Sequence, residues 1–217
     1  MNKKMMVRVA MYLLGMVLLA LGITLNTKTG LGVSAIVSVP YCISDIWNMN
    51  FGNVTFMIYT LFVLVQIGIK GRSTKLFDIL QIVVSILFTR LLNLFGSLVS
   101  FQSENLVINL LLLLTAILLT GTGAAITVNA RLISNPADGL VRTIADSVKL
   151  EMGLVKNLFD ICCIAVSVII SLIVQGRLSG IGIGTILAAA GIGRVIWLYN
   201  QLFRRKVEEM SGIEDQS

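Results

Sequence analysis

The chain has 217 residues, of which 56% are hydrophobic and 13% charged, with no histidine and a formal net charge of +6. A soluble domain carries about 25% charged residues. That gap, with a mean hydropathy of +0.92, excludes a soluble enzyme, a secreted disulfide scaffold and a nucleic-acid binder, and it makes the lipid bilayer the first partner.

Crossing a hydrocarbon core of roughly 30 Å takes about 20 apolar residues. Lys3, Lys4 and Arg8 precede a run that predicts a first span near 9–26; the run is too long for a signal peptide and no clean cleavage site follows it, so it reads as uncleaved. The next stretch, 31–47, is apolar but holds Pro40 and Asp45. Spans follow near 54–69, 77–98 and 106–127. The stretch 132–150 carries Asp138, Arg142, Asp146 and Lys149 and is too polar to cross unaided. Two more spans fall near 157–174 and 181–202. Residues 1–203 thus form one membrane domain, and 204–217, with Glu208, Glu209, Glu214 and Asp215, read as a solvated cytoplasmic tail.

Positive charge decides the number of crossings. With six spans, the clusters Lys3-Lys4-Arg8, Lys70-Arg72-Lys75, Arg131-Arg142-Lys149-Lys156 and Arg204-Arg205-Lys206 share one side, and only Lys28 and Arg177 lie on the other. With eight spans the bias nearly vanishes. The positive-inside rule therefore favours six spans with both termini cytoplasmic, and it makes 31–52 and 132–153 broken, re-entrant or interfacial segments.

The chain also repeats itself at an offset of 101 residues. Leu13/Leu114 open the match and Val54/Val155 close it, with Gly22/Gly123, Asp45/Asp146 and Gly52/Gly153 between them. Each half reads as span, broken segment, span, span, the first over about 9–100 and the second over about 106–203. Three crossings per half is odd, so the halves are expected upside down relative to one another. The expected fold class is an all-α polytopic membrane protein of two inverted three-helix repeats. Inverted repeats with interrupted segments at matching places characterise secondary transporters.

Ionisable groups at membrane depth point to a pathway. Arg90 and Arg194 each fall about fourteen residues into related spans, and the expectation is a pair of guanidiniums facing a central cavity and an anionic or zwitterionic solute. Asp45 and Asp146 hold equivalent places in the broken segments and are expected to line the mouths of the path. Asn135 is expected to cap a helix whose first turn holds Pro136 and Asp138. Asp138, Arg142 and Asp146 share one helical face at four-residue spacing. Lys156 and Asp160 are expected to form an interfacial ion pair, as is Asp78 near the start of its span. Cys42, Cys162 and Cys163 lack zinc-site spacing and read as small buried residues. Gly180, Gly184 and Ala188, then Ala189 and Gly193, are spaced for close helix packing. With no histidine base, nucleophile elbow or metal cluster, neither an enzyme nor a cofactor is expected.

Residues 9–203 resemble the bacterial YczE/YyaS/YitT family of integral membrane proteins. The likeness is clearest in Asn135 to Leu140, which ends Asp-Gly-Leu, and in Gly182-Ile183-Gly184-Thr185-Ile186-Leu187. The first-half counterpart is Gly30 to Ala35, where Ala35-Ile36-Val37 replaces the Pro-Trp-Asp of many members. The resemblance implies a multi-pass protein of the bacterial plasma membrane, in a family often labelled transporter-like. A small-solute permease is the expected function, acting as a homodimer or beside a partner subunit. The alternative is a non-transporting accessory protein, or the substrate-binding subunit of a multi-chain importer.

Overall fold

The structure, a computed structural model, describes residues 3–101 and 103–211. Among them are eight α-helices: α1 (Lys3–Lys28), α2 (Ala35–Ile46), α3 (Phe51–Lys70), α4 (Leu76–Leu98), α5 (Leu106–Asn129), α6 (Pro136–Val148), α7 (Met152–Gln175) and α8 (Ile183–Ser211). Six of them, α1, α3, α4, α5, α7 and α8, are long and apolar enough to cross a membrane. These match the six spans expected from the sequence, mostly with an extra turn. A helix satisfies its own backbone, which is the condition for crossing lipid. The chain is a multi-pass membrane protein.

The two ambiguous stretches are both helices. At 12 and 13 residues, α2 and α6 reach only about 18–20 Å at 1.5 Å per residue, short of a full crossing. Local chemistry sets their limits. The Asn135 side chain accepts from the Ala137 amide at 3.1 Å and Pro136 opens α6, as expected. Lys149 adopts a left-handed conformation at φ 55° and ends it. Asn50 and Asn105 cap α3 and α5 in the same manner as Asn135. Gly176, at φ 68°, stops α7. The last helix α8 runs through Ser211, so part of the expected tail is helical; residues 212–217 lie outside the described residues.

The helix limits repeat at the sequence offset: α1 and α5 end at 28 and 129, α2 and α6 begin at 35 and 136, and α3 and α7 begin at 51 and 152. The most extensive packing joins α1 to α5. These helices run antiparallel and touch at glycine. A Cβ on Gly22 would sit 2.6 Å from the Thr120 amide and 2.9 Å from the Ala116 carbonyl oxygen, and one on Gly123 would sit 2.7 Å from the Gly15 carbonyl oxygen and against the Leu19 amide. Positions 22, 15 and 19 correspond to 123, 116 and 120 in the repeat, so each half offers the same glycine to the same sites of the other.

Around this pair, α4 packs on α1 and α8 on α5, α2 packs on α7 and α6 on α3. Tyr12, Met16, Val33, Val37, Tyr59, Phe88 and Leu92 fill the centre. The correspondence is incomplete: α3 lies along α4 while α7 and α8 are not packed in that way, and the contacts of α8 with α1 and of α4 with α6 have no comparable counterpart. Of the small-residue series in α8, Gly184 faces the Leu31 carbonyl and Ala188 is buried, but Ala189 and Gly193 face outward.

Substituting Gly123→Val forces a branched side chain into the α1–α5 contact. Overpacking costs about 1–3 kcal/mol and occasionally more, so thermal unfolding in detergent is expected at clearly lower temperature. Gly68→Val, whose Cβ meets nothing within 4 Å, is the control and is expected to unfold within a few degrees of the parent. Equal behaviour of the two variants would show that the crossing does not depend on Gly123.

Candidate functional site

One end of the bundle is open. The last turn of α1, α2, the start of α3, the last turns of α4 and the start of α5 surround a cavity of about 1100 Å³. Thr24, Thr27, Lys28 and Thr29 come from α1 and the residue after it, Tyr41 from α2, Asn50 and Phe51 from the α3 start, and Asn93, Gly96 and Ser97 from α4. Ser103 and Glu104 close the rim, and Asn109 of α5 completes the wall.

The hydroxyl protons of this wall are mostly committed. Thr24 donates to Ala20 O at 2.9 Å, Thr27 to Thr24 O at 2.7 Å, Thr29 to Asn26 O at 2.8 Å and Ser97 to Leu94 O at 2.8 Å. Such bonds back to the preceding turn leave oxygen lone pairs pointing outward. Asn93 accepts from the Gly52 amide at 3.0 Å and donates to Asn53 Oδ1 at 3.3 Å. Asn109 donates from Nδ2 to Ser103 O at 2.9 Å, while its Oδ1 is buried without a partner. Burial, then the charge of Asp45, pushes the Tyr41 hydroxyl above its ordinary pKa, so it stays protonated.

The opposite end is tied together. Arg8 donates from Nε to Ala130 O at 3.0 Å and from Nη2 to Arg131 O at 2.7 Å, and the Tyr12 hydroxyl donates to Ile133 O at 2.8 Å. Both donors sit on α1, and all three acceptors lie in the linker between α5 and α6. Beside them Gln66 and Gln81 exchange amide hydrogen bonds at 3.2 Å, and Gln66 also reaches Pro136 O at 3.1 Å. Gly139 makes room, since a Cβ there would stand 2.7 Å from both glutamine oxygens. Asp78 is ion-paired as expected, and its partner is Lys70 at 2.7 Å.

The expected site residues are scattered. Arg90 is exposed and donates to Asn53 Oδ1 at 3.3 Å, and Arg194 is exposed on α8. The two are not brought together, and neither lines the cavity. The correction has a geometric reason: a position along a helix gives depth, whereas its angle gives the face. The buried positions of α4 are Asp78, Gln81, Ser85, Phe88, Thr89 and Leu92, and Arg90 falls between them on the outer face. Asp45 is exposed and accepts from the Ser179 hydroxyl at 2.6 Å, which ties α2 to the segment before α8. Asp146 is exposed. Asn135 is the cap described above.

Asp138 is half-buried and takes the Lys156 ammonium at 3.4 Å. The Lys156–Asp160 pair expected from the sequence is replaced by this one, and the Asp160 Oδ1 is buried without a hydrogen-bond partner. Lys156 lies on the face of α7 that packs against α6, where Asp138 presents a hydrated carboxylate. Cys42 and Cys163 are buried, but Cys162 is exposed.

Sequence reasoning missed the cavity wall and the glutamine pair. The signal was present: in lipid the polar stripe faces inward, and Asp78, Gln81, Ser85 and Thr89 recur at three- and four-residue spacing. Cys163, Ser167 and Ser171 form the same stripe on α7, and Ser167 meets Ser38 of α2 at 2.8 Å.

The fold and its polar interior define a multi-pass membrane protein with an open cavity at one end. The chain belongs to the family designated DUF6198, described as a family of unknown function, which it matches over residues 6–201. No curated protein and no solved structure matches it.

Replacing Arg8 with Gln removes a charged donor from two linker carbonyls. Hydrogen bonds to charged groups contribute about 1.5–3 kcal/mol, so amide hydrogen exchange in 130–135 is expected to quicken by roughly tenfold or more. Unchanged exchange there in Arg8→Gln would show that the Arg8 bonds do not hold the linker.

Proposed function

We propose that the protein is a small-solute permease of the bacterial plasma membrane, with both termini cytoplasmic, that takes up an anionic or zwitterionic solute through the cavity at its outer end. The observation that carries this reading is the cavity itself: about 1100 Å³, with a wall of mixed polar and apolar surface, within a bundle of apolar helices. Polar side chains gathered around a cavity in an otherwise apolar bundle mark a solute path. By the positive-inside rule the cavity faces outward, since Arg8, Lys70 and Lys75 lie at the other end.

Two inverted halves suit this function. The antiparallel contact of α1 with α5 through equivalent glycines supports the inversion. In this reading α2 and α6 re-enter the membrane. Ser38, near the start of α2, meets Ser167, eight residues before the end of α7, or roughly 12 Å in at 1.5 Å per residue. The carbonyl of Pro136, the first residue of α6, accepts from Gln66, which is itself paired with Gln81 inside the bundle. Half-helices of this kind gate the site in transporters of inverted repeats.

The two mouths then differ by substitution at equivalent positions. Arg8 and Tyr12 latch the inner linker, and their repeat counterparts are Asn109 and Leu113. Asn109 is too short to span to the outer linker, and leucine cannot hydrogen-bond. The inner mouth is closed and the outer one open, as one state of an alternating-access cycle requires.

A second reading has its own observation. The faces of α7 and α8 that do not pack together leave room for a partner, which suits an accessory protein or the binding subunit of an importer.

The test uses protein reconstituted in liposomes and a mixed pool of radiolabelled amino acids and organic acids. Saturable uptake is expected, with near-complete loss in Gly96→Trp, where the new ring would fill a cavity position whose Cβ meets nothing within 4 Å. No uptake by well-inserted parent protein, or full uptake by the variant, would overturn the reading. With the native cysteines replaced, Ser97→Cys is expected to react with an impermeant maleimide from the outside of cells, and reaction only after permeabilisation would reverse the orientation.

A further inference from the structure

We infer that the cavity of the proposed permease recognises a primary ammonium group, held deep by the oxygens of Thr24, Thr29 and Asn109, with Lys28 nearer the rim taking the carboxylate of an amino-acid-like solute. The inference deepens the permease reading and rests on it for the role of the site.

The deep wall is built of acceptors. Thr24, Thr29 and Asn109 are 2%, 1% and 9% exposed. The two hydroxyls have donated their protons to Ala20 O and Asn26 O, and Thr29 Oγ1 also accepts from the Leu31 amide at 3.2 Å, so each has oxygen lone pairs and no proton left to offer the cavity. The Asn109 amide is oriented by Ser103 O, which takes its Nδ2 at 2.9 Å and turns Oδ1 to the side where no protein donor meets it. A buried carbonyl oxygen without a donor is costly and is satisfied by a ligand N–H or by water. An ammonium group carries three donors and no acceptor, which complements such a wall.

The charged groups that line the cavity are Lys28 and Glu104, one of each sign. Glu104 is exposed and Lys28 half-buried, so both lie nearer solvent than Asn109. A solute with no net charge and separated poles fits this arrangement. A simple carboxylic acid does not, because its oxygens would face the oxygens of the deep wall. The Tyr41 hydroxyl remains the donor beside the aromatic floor, where Tyr41 and Phe51 pack edge to face at 6.1 Å.

Three probes of one shape separate the contributions: leucine, isoamylamine, which lacks the carboxylate, and isocaproate, which lacks the ammonium. Titration calorimetry of the full chain in nanodiscs is expected to show leucine and isoamylamine binding at least tenfold more tightly than isocaproate. Asn109→Leu is expected to erase most of that preference. Asn109→Asp keeps the acceptor, adds charge, and is expected to bind isoamylamine at least as tightly as the parent, which secures the test should the leucine variant fold poorly. Isocaproate binding as tightly as the amine, or no binding of any probe to folded parent, would overturn the inference. Binding of leucine without transport in liposomes would overturn the permease reading and leave the ammonium site standing. Transport of isocaproate alone would do the reverse.

Discussion

The close crossing of α1 and α5 is the contact on which the other helices are arranged. In lipid no hydrophobic force drives helices together, so close van der Waals approach has to supply it. Gly22 and Gly123 allow that approach, each lying against the backbone of the opposite helix. Because the two glycines are repeat equivalents, the crossing also sets how one half meets the other. On this pair α4 docks from one half and α8 from the other.

The short helices α2 and α6 create the second constraint. Neither is long enough to cross, so their ends and linkers must find partners inside the protein. The solutions differ in chemistry but occupy related positions. Ser38 and Ser167 meet as two small hydroxyls, whereas their counterparts are Gly139 and Gln66, a missing side chain beside a long amide. In each contact small or absent side chains make room for the partner, but the hydrogen-bond reach differs. The linkers follow suit: Val33 and Leu31 bond the backbone of Gly180 and Gly184, and the linker before α6 is held instead by Arg8 and Tyr12.

Much of the fold was legible because span length and hydropathy are one-dimensional quantities. The six spans, the Asn135 cap and the ion pairing of Asp78 needed only spacing. The cavity was not legible because five elements contribute to it, and no local pattern says that Thr24, Asn93 and Asn109 meet. The arginines misled for a related reason. Arg90 has the depth of a pathway residue, but the inward face of α4 passes through Gln81, Ser85 and Thr89, and the long side chain reaches Asn53 along the bundle surface. In a membrane protein the polar stripe identifies the inner face more reliably than the largest charge does.

A repeat that matched perfectly would close or open both mouths alike. In the proposed permease the departures from the repeat matter as much as the matches. Arg8 and Asn109 occupy equivalent positions, yet one spans to a linker with two charged hydrogen bonds and the other leaves an oxygen without a donor. The same exchange that leaves the outer linker without a side-chain latch from α5 supplies the acceptor that a solute can satisfy. That oxygen is already buried without a donor while the outer mouth is open, at a cost of about 1–3 kcal/mol by mutational measures. A bound N–H would offset that cost, so the departure from the repeat favours an occupied cavity over an empty one.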